Sequence, residues 1–275
     1  MSSILNNNSA TVALATLKNV NRGLNETQSR VSTGLQIRSG KENAAYFAIS
    51  ETMKGDSGMF KAINEGMTAT KNSVATARLG AETVKDLANQ MVERIAFAQS
   101  DGVDKADVQS ELDALAENMQ SAIDQATFNG DDLVGAASST VTVVSGISRA
   151  SGSFATTTIS FDTVDLQAIQ TAMAAVDVTD TSTTMAAKLV VAEGQLSNAI
   201  DAATSMGVTE KTLEDQSNFL ESLTDTLDSG ISSMVDADME EEAARLQAYQ
   251  VQQQLATQSL SIANQAPGNI LSLFR

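Results

Sequence analysis

The stretch Ala10–Val31, ATVALATLKNVNRGLNETQSRV, places small or apolar residues at Ala10, Ala13, Leu17, Val20, Leu24, Thr27 and Val31, alternating steps of three and four. At the far end Leu246, Tyr249, Gln253, Ala256, Leu260 and Ala263 keep the same steps. An average period of 3.5 holds one stripe of a helix against a partner helix, which is the seam of a coiled coil. The two ends are therefore expected to pair. Both stripes are narrow and alanine-rich, so the pair alone buries little surface, at roughly 25 cal/mol per Å² of apolar area. Helices this thinly supported call for neighbours, and further copies of the chain are the simplest source.

Between the ends the rhythm stops and restarts. Ser32-Thr33-Gly34 through Arg38-Ser39-Gly40 reads as a break. Phe60, Ile63, Met67, Thr70, Val74, Ala77, Ala81, Val84, Ala88, Met91, Ile95 and Ala98 then hold the three-four spacing without a slip. Asp101-Gly102 is a turn signal and Asp104 an N-cap, leading into a third run at Val108, Leu112, Leu115, Met119, Ala122 and Ala126. A turn this short makes the second and third runs antiparallel neighbours. From Asn129 to about Asp177 the composition changes to Thr, Ser, Gly and Val; Ser139–Val144 and Phe154–Phe161 are β-branched segments that read as a hairpin. Helix returns at Met185, Leu189, Ala192, Leu196, Ala199, Ala203, Met206, Leu213, Leu220, Leu227, Ile231 and Met234, a helix of up to about 50 residues or 75 Å. The expected fold is mainly α: long antiparallel helical rods with coiled-coil termini and a small central β-hairpin region.

Composition narrows the function. The 275 residues include no Cys, no His and no Trp, a single Pro, and 4% aromatics. Triads built on His or Cys and ordinary zinc sites are excluded. Gly55, Gly58 and Gly66 match no phosphate-loop spacing. A net charge of -17 argues against nucleic acid, because there is no surplus of Lys and Arg to displace phosphate counterions. The charge is uneven: residues 1–54 carry six bases against three acids, residues 201–275 twelve acids against three bases, which reads as solvated faces or, in the sharper alternative, as terminal segments that attract each other. Asn6, Asn7 and Asn8 stand where a Sec-type apolar region would have to be, and no run approaches the 18 apolar residues of a membrane span. Asp101–Asp107 lacks the glycine position of a calcium loop. Asp236, Asp238, Glu240, Glu241 and Glu242 read as a solvated helix start favoured by the macrodipole rather than a metal site. The methionines on or near the stripes read as core filler. No residue is assigned to catalysis, no metal site and no cofactor is expected, and an enzyme is not indicated.

Three ordered motifs then resemble one family. Val31-Ser32-Thr33-Gly34-Leu35-Gln36-Ile37-Arg38-Ser39-Gly40-Lys41-Glu42-Asn43-Ala44-Ala45, with Ala48-Ile49-Ser50-Glu51, closely resembles the N-terminal signature of bacterial flagellins. Thr127-Phe128-Asn129-Gly130 is similar to that family's Phe-Asn-Gly turn, and Ala263–Arg275, ANQAPGNILSLFR, to its Ala-Asn-Gln-x-Pro-x-x-x-Leu-Ser-Leu-Leu-Arg terminus. Tyr46-Phe47 departs from the smaller residues common after Ala-Ala.

The resemblance implies a subunit that polymerises into the helical flagellar filament for swimming motility. It further implies secretion to the cell exterior without membrane insertion. Residues 1–33 and 236–275 would form an inner coiled-coil core, 34–43 a linker, 44–128 and 178–235 an outer helical rod, and 129–177 a small β-rich insertion. Implied partners are further copies, sister flagellins, junction and cap proteins, the flagellar type III export apparatus and an export chaperone. A hook-filament junction protein, with similar ends and fewer copies, is the alternative. The packing residues expected on the terminal stripes are Leu17, Val20, Leu24, Val31, Leu246, Tyr249, Leu260, Ile270, Leu271 and Leu273. A family stretch used in some members for protofilament contact and innate immune recognition appears as Asn89–Ile95 without its first arginine. That change argues against immune recognition and leaves Met91, Glu93, Arg94 and Ile95 as rod interface candidates.

Overall fold

The computed structural model describes residues 7–135, 138–149 and 154–272, with side chains as far as Gln265. Among the described residues there are six helices and two antiparallel two-stranded sheets. The chain divides into two compact units, Met1–Asp56 with Thr226–Arg275 and Ser57–Asp225, the boundaries falling inside two long helices.

In the first unit, α1 (Asn8–Thr33) starts where the Asn7 carboxamide accepts the Ala10 N–H at 3.1 Å. It stops at Gly34, whose φ of 73° reverses the chain and lets its N–H reach the Arg30 carbonyl at 2.8 Å. The Asn43 carboxamide caps the start of α2 (Ala44–Phe97), accepting from Ala45 and Tyr46 at 3.1 and 3.2 Å. At the other end, Asp238 caps α6 (Met239–Ser272) by accepting from Glu240 and Glu241 at 3.0 and 3.2 Å. The two connectors are stitched together: Gln36 N–H donates to Val235 O at 2.7 Å, Ala237 N–H to Gly34 O at 2.8 Å, and Leu35 pairs antiparallel with Asp236. The expected break after Val31 is thus a bonded joint between connectors.

In the second unit the expected seam of α2 is the core. Phe60, Met67, Val74, Ala77, Ala81, Val84, Ala88, Met91, Ile95 and Ala98 are buried, with Ile63 and Thr70 half-buried. The chain turns at Gly102 (φ 89°), and the Asp104 carboxylate accepts the Ala106 N–H at 2.9 Å to open α3 (Lys105–Gln125). The ion pair Arg94–Glu111 and the approach of Gly80 to Ala126 set α2 and α3 antiparallel. The residues β1 (Thr127–Phe128) and β2 (Asp131–Asp132) flank a tight turn in which Asn129 and Gly130 have φ of 52° and 89°. Both values lie in the region that favours Asn and Gly, as a primed hairpin turn requires.

The hairpin is present as β3 (Thr140–Ser148) and β4 (Ala155–Asp162), with a bulge between Val144 and Gly146. Two readings change. The third run is buried at Val108, Leu112, Ala116, Met119, Ile123 and Ala126, while Leu115 and Ala122 are only half-buried. The displacement has a cause: α4 (Leu166–Ala174), a helix the Thr/Ser-rich composition concealed, packs on α3 and covers the face at Ala116. Gln170 donates to the Ala116 carbonyl at 3.3 Å, and Gln120 and Gln167 exchange hydrogen bonds at 2.9 and 2.7 Å. The last rod helix, α5 (Met185–Val235), runs 51 residues and buries Ala192, Ala199, Met206, Leu213, Leu220 and Ile231 of the expected frame.

Candidate assembly surface

The first unit holds the two stripes read at the chain ends. α1 and α6 lie antiparallel, side by side. Val20, Thr27 and Ala256 are buried between them, and Leu17, Leu24, Val31, Leu246, Tyr249 and Leu260 are half-buried. Ile270 and Leu271, whose side chains lie outside the described residues, and Leu273, which lies outside them altogether, are not placed.

Polar groups thread this seam. The Asn7 amide donates to Ala263 O at 2.8 Å, and the Gln253 amide to Asn21 Oδ1 at 2.8 Å. Near the connectors, Arg30 Nη1 and Arg245 Nη1 each donate to Glu242 Oε1 at 3.3 Å, and Glu242 is only 4% exposed. The acidic start of α6 is therefore solvated at Glu240 and Glu241 but not at Glu242, which the seam takes in. This correction follows from Arg30: α1 supplies the guanidinium that makes a buried carboxylate tolerable. Beside the clasp, Arg38 hydrogen-bonds Ser29 and pairs with Glu42 at 2.8 Å. The Arg38 backbone N–H, then its guanidinium, hold the Glu42 carboxyl below the usual glutamate range.

Sequence reading alone did not register a second stripe. Val251, Leu255 and Ile262, spaced four and seven apart on α6, are 56%, 58% and 70% exposed. Val12 on α1 is exposed as well, at the rim of a groove of about 470 Å³ lined by Asn8, Ser9, Ala13, Thr16, Ala256 and Ser259. The signal was present in the spacing, on the face of α6 turned away from the stripe that pairs with α1. This row leaves one face of α6 apolar and exposed within the chain.

The rod candidates separate. Met91 and Ile95, 1% and 0% exposed, close the interior of the second unit and are not available to a neighbour. Glu93 and Arg94 are at the surface, Arg94 bound to Glu111 at 2.9 Å. Along the heptad seam, Met91 and Ile95 necessarily face the partner helices, which leaves only the intervening residues outside. Other exposed apolar side chains of this unit include Leu79, Val208 and Phe219. Arg78 joins α2 to α5 through Glu210 at 2.6 Å and also binds Glu82 at 2.6 Å, which raises its pKa further.

Among the described residues no three His, Cys, Asp or Glu side chains gather as a metal site requires, and no helix is long and apolar enough to cross a membrane.

Comparison with known proteins agrees with the motifs. Residues 4–140 match the bacterial flagellin N-terminal helical region and residues 189–274 the bacterial flagellin C-terminal helical region. The chain is 32% identical to a flagellin of Brucella melitensis over 281 residues, covering 100% of both proteins. It is 31% identical to flagellin C of Rhizobium meliloti over 320 residues, again with 100% coverage of each. With flagellin FljM of Caulobacter vibrioides it shares 32% identity over 285 residues, 100% of this chain and 99% of the relative. Long heptad helices at both ends, a small β region between them and these matches lead to one conclusion: the chain belongs to the bacterial flagellins, the structural subunits of the extracellular flagellar filament.

Proposed function

We propose that filament assembly runs through the α1/α6 pair. Residues 1–33 and 236–275 act as the inner layer, 34–43 as a linker, and 44–128 with 178–235 as an outer rod carrying the 129–177 insertion. The single observation that supports this most is the exposed Val251, Leu255 and Ile262 row on a helix pair whose own seam buries little. Docking among copies covers that row and orders the pair, since thinly supported helices gain most of their stability from packing. Leu17, Val20, Leu24, Val31, Leu246, Tyr249 and Leu260 hold the pair together, and Ile270, Leu271 and Leu273 are further subunit-packing candidates. Glu93 and Arg94 are the rod residues offered to a neighbour. Contacts of this kind are heterologous and do not close, so they generate a fibre.

Family membership supports further partners of the same system: sister flagellins, junction and cap proteins, an export chaperone and the type III export apparatus, which passes a chain without disulfides. The decisive test is electron microscopy and sedimentation of the purified protein, full length against a variant ending at Ala256. The full chain is expected to form fibres and the shortened one to stay in the supernatant; fibres of equal length from both would overturn the reading.

A further inference from the structure

The apolar stripes do not say how far along one another α1 and α6 should lie. Each repeats every seven residues, so sliding one helix by a heptad, about 10.5 Å, again sets small apolar residues against small apolar residues. A stripe that matches itself after a slide specifies pairing without specifying register. The contacts that do not repeat are polar or shaped. Glu242 is buried between Arg30 of α1 and Arg245 of its own helix. Tyr249 lies over Gly23, where a Cβ would come within 2.6 Å of the ring. A slide by one heptad would lay Tyr249 against Thr16 or Arg30 and strand the buried Glu242 carboxylate away from Arg30.

We propose that the Arg30–Glu242–Arg245 clasp and the Gly23–Tyr249 notch are the register-setting residues of assembly. They choose one alignment of α1 on α6, so that every copy presents the same outward surface. The clasp is suited to this because burial makes a misplaced charge costly, whereas a misplaced alanine costs little. Glycine inside a helix is otherwise unfavourable relative to alanine, and the Tyr249 ring gives it a reason to be there. A slid subunit would displace the exposed α6 row by about 10.5 Å relative to α1, spoiling its fit to copies in register. This inference rests on the assembly role of the α1/α6 pair given above.

The chain has no cysteine, so disulfide trapping reads register cleanly. Asn21→Cys with Gln253→Cys reports the native alignment, in which these two side chains are hydrogen-bonded. Asn21→Cys with Leu246→Cys or Leu260→Cys reports slides of one heptad. In assembled fibres, with bridges within one chain separated from bridges between chains by denaturing electrophoresis, only the native pair is expected to cross-link. Adding Glu242→Gln and Tyr249→Ala should lower native cross-linking at least threefold and bring up one slid pair. The swap Arg30→Glu with Glu242→Arg, with Tyr249 retained, should restore the native pattern. Uncysteinated Glu242→Gln/Tyr249→Ala protein should seed fibres at least tenfold more slowly. Unchanged native cross-linking in the Glu242→Gln/Tyr249→Ala protein overturns the proposal, because the connectors alone would then set the register. Loss of every cross-link overturns it too, because the residues would then merely hold the helices together. Failure of the unaltered protein to polymerise would count against the assembly role instead, whereas fibres of unaltered protein that cross-link equally at native and slid pairs would overturn the register proposal alone.

Discussion

Gly80 shows how closely helices built on small residues approach. A Cβ placed there would lie 2.4 Å from Ala126 Cβ, at the point where the chain leaves α3 for the β turn. Overpacking a seam of this kind costs about 1–3 kcal/mol. Gly80→Val is therefore expected to lower the unfolding free energy of the second unit, obtained from urea titration read by far-UV circular dichroism, by an amount in that range. Glu42 acts at the same scale in the other unit. Its carboxyl is held below the ordinary range by the Arg38 N–H and guanidinium, so the ionised form is the one the fold favours. The contribution is present at neutral pH and is lost as pH falls through the depressed folded-state value, below the usual glutamate range of roughly 4. Limited proteolysis in the 34–43 connector should rise on acidification. Glu42→Gln should raise cleavage at pH 7 and flatten the dependence; an unchanged pH profile in that variant would rule the mechanism out.

α4 is the element that most alters the expected pattern. It is short, but Asp165 caps it by accepting the Ala168 N–H at 2.8 Å, and Leu166, Ile169 and Met173 are buried. Because α4 lies on α3, the buried line of α3 runs through Ala116 and Ile123 instead of Leu115 and Ala122. Met173→Ala should destabilise the second unit by about 2–5 kcal/mol, the usual cost of emptying a buried Met site. Leu115→Ala should cost clearly less, since Leu115 is only half-buried. Urea titrations of the two variants give the comparison, and equal losses would mean that α4 does not govern the α3 face. Across the hairpin, Gln216 of α5 donates to the Ser145 carbonyl at 2.8 Å, which anchors the β3 bulge to the rod helix.

For the molecule as a whole, charge and thin seams act against each other. A net charge of -17 makes copies repel, while the exposed α6 row favours their contact. Screening shortens the reach of that repulsion from roughly 30 Å at 0.01 M salt to about 10 Å at 0.1 M. The sedimentable fraction at fixed protein concentration should therefore rise across this interval; a fall would show that attraction between basic and acidic segments of different copies dominates instead.

The amino-acid sequence by itself determined that the protein is a set of long heptad helices with a β interruption, because the three-four rhythm, Asp104, Gly34 and the Asn129-Gly130 pair act through local geometry. It also carried the family motifs and excluded chemistry that needs His or Cys. The tertiary structure alone decided which side chains of those helices face outward. Periodicity is blind to whether one or two neighbours flank a helix, so it could not show that α4 shifts the α3 seam. Nor could it tell that Glu242 leaves the solvent while Glu240 and Glu241 stay in it, since that depends on Arg30, 212 positions away in the chain. Met91 and Ile95 were legible as seam residues, whereas the row Val251, Leu255 and Ile262 went unregistered; only the placement of partner helices separates an interior stripe from one left exposed.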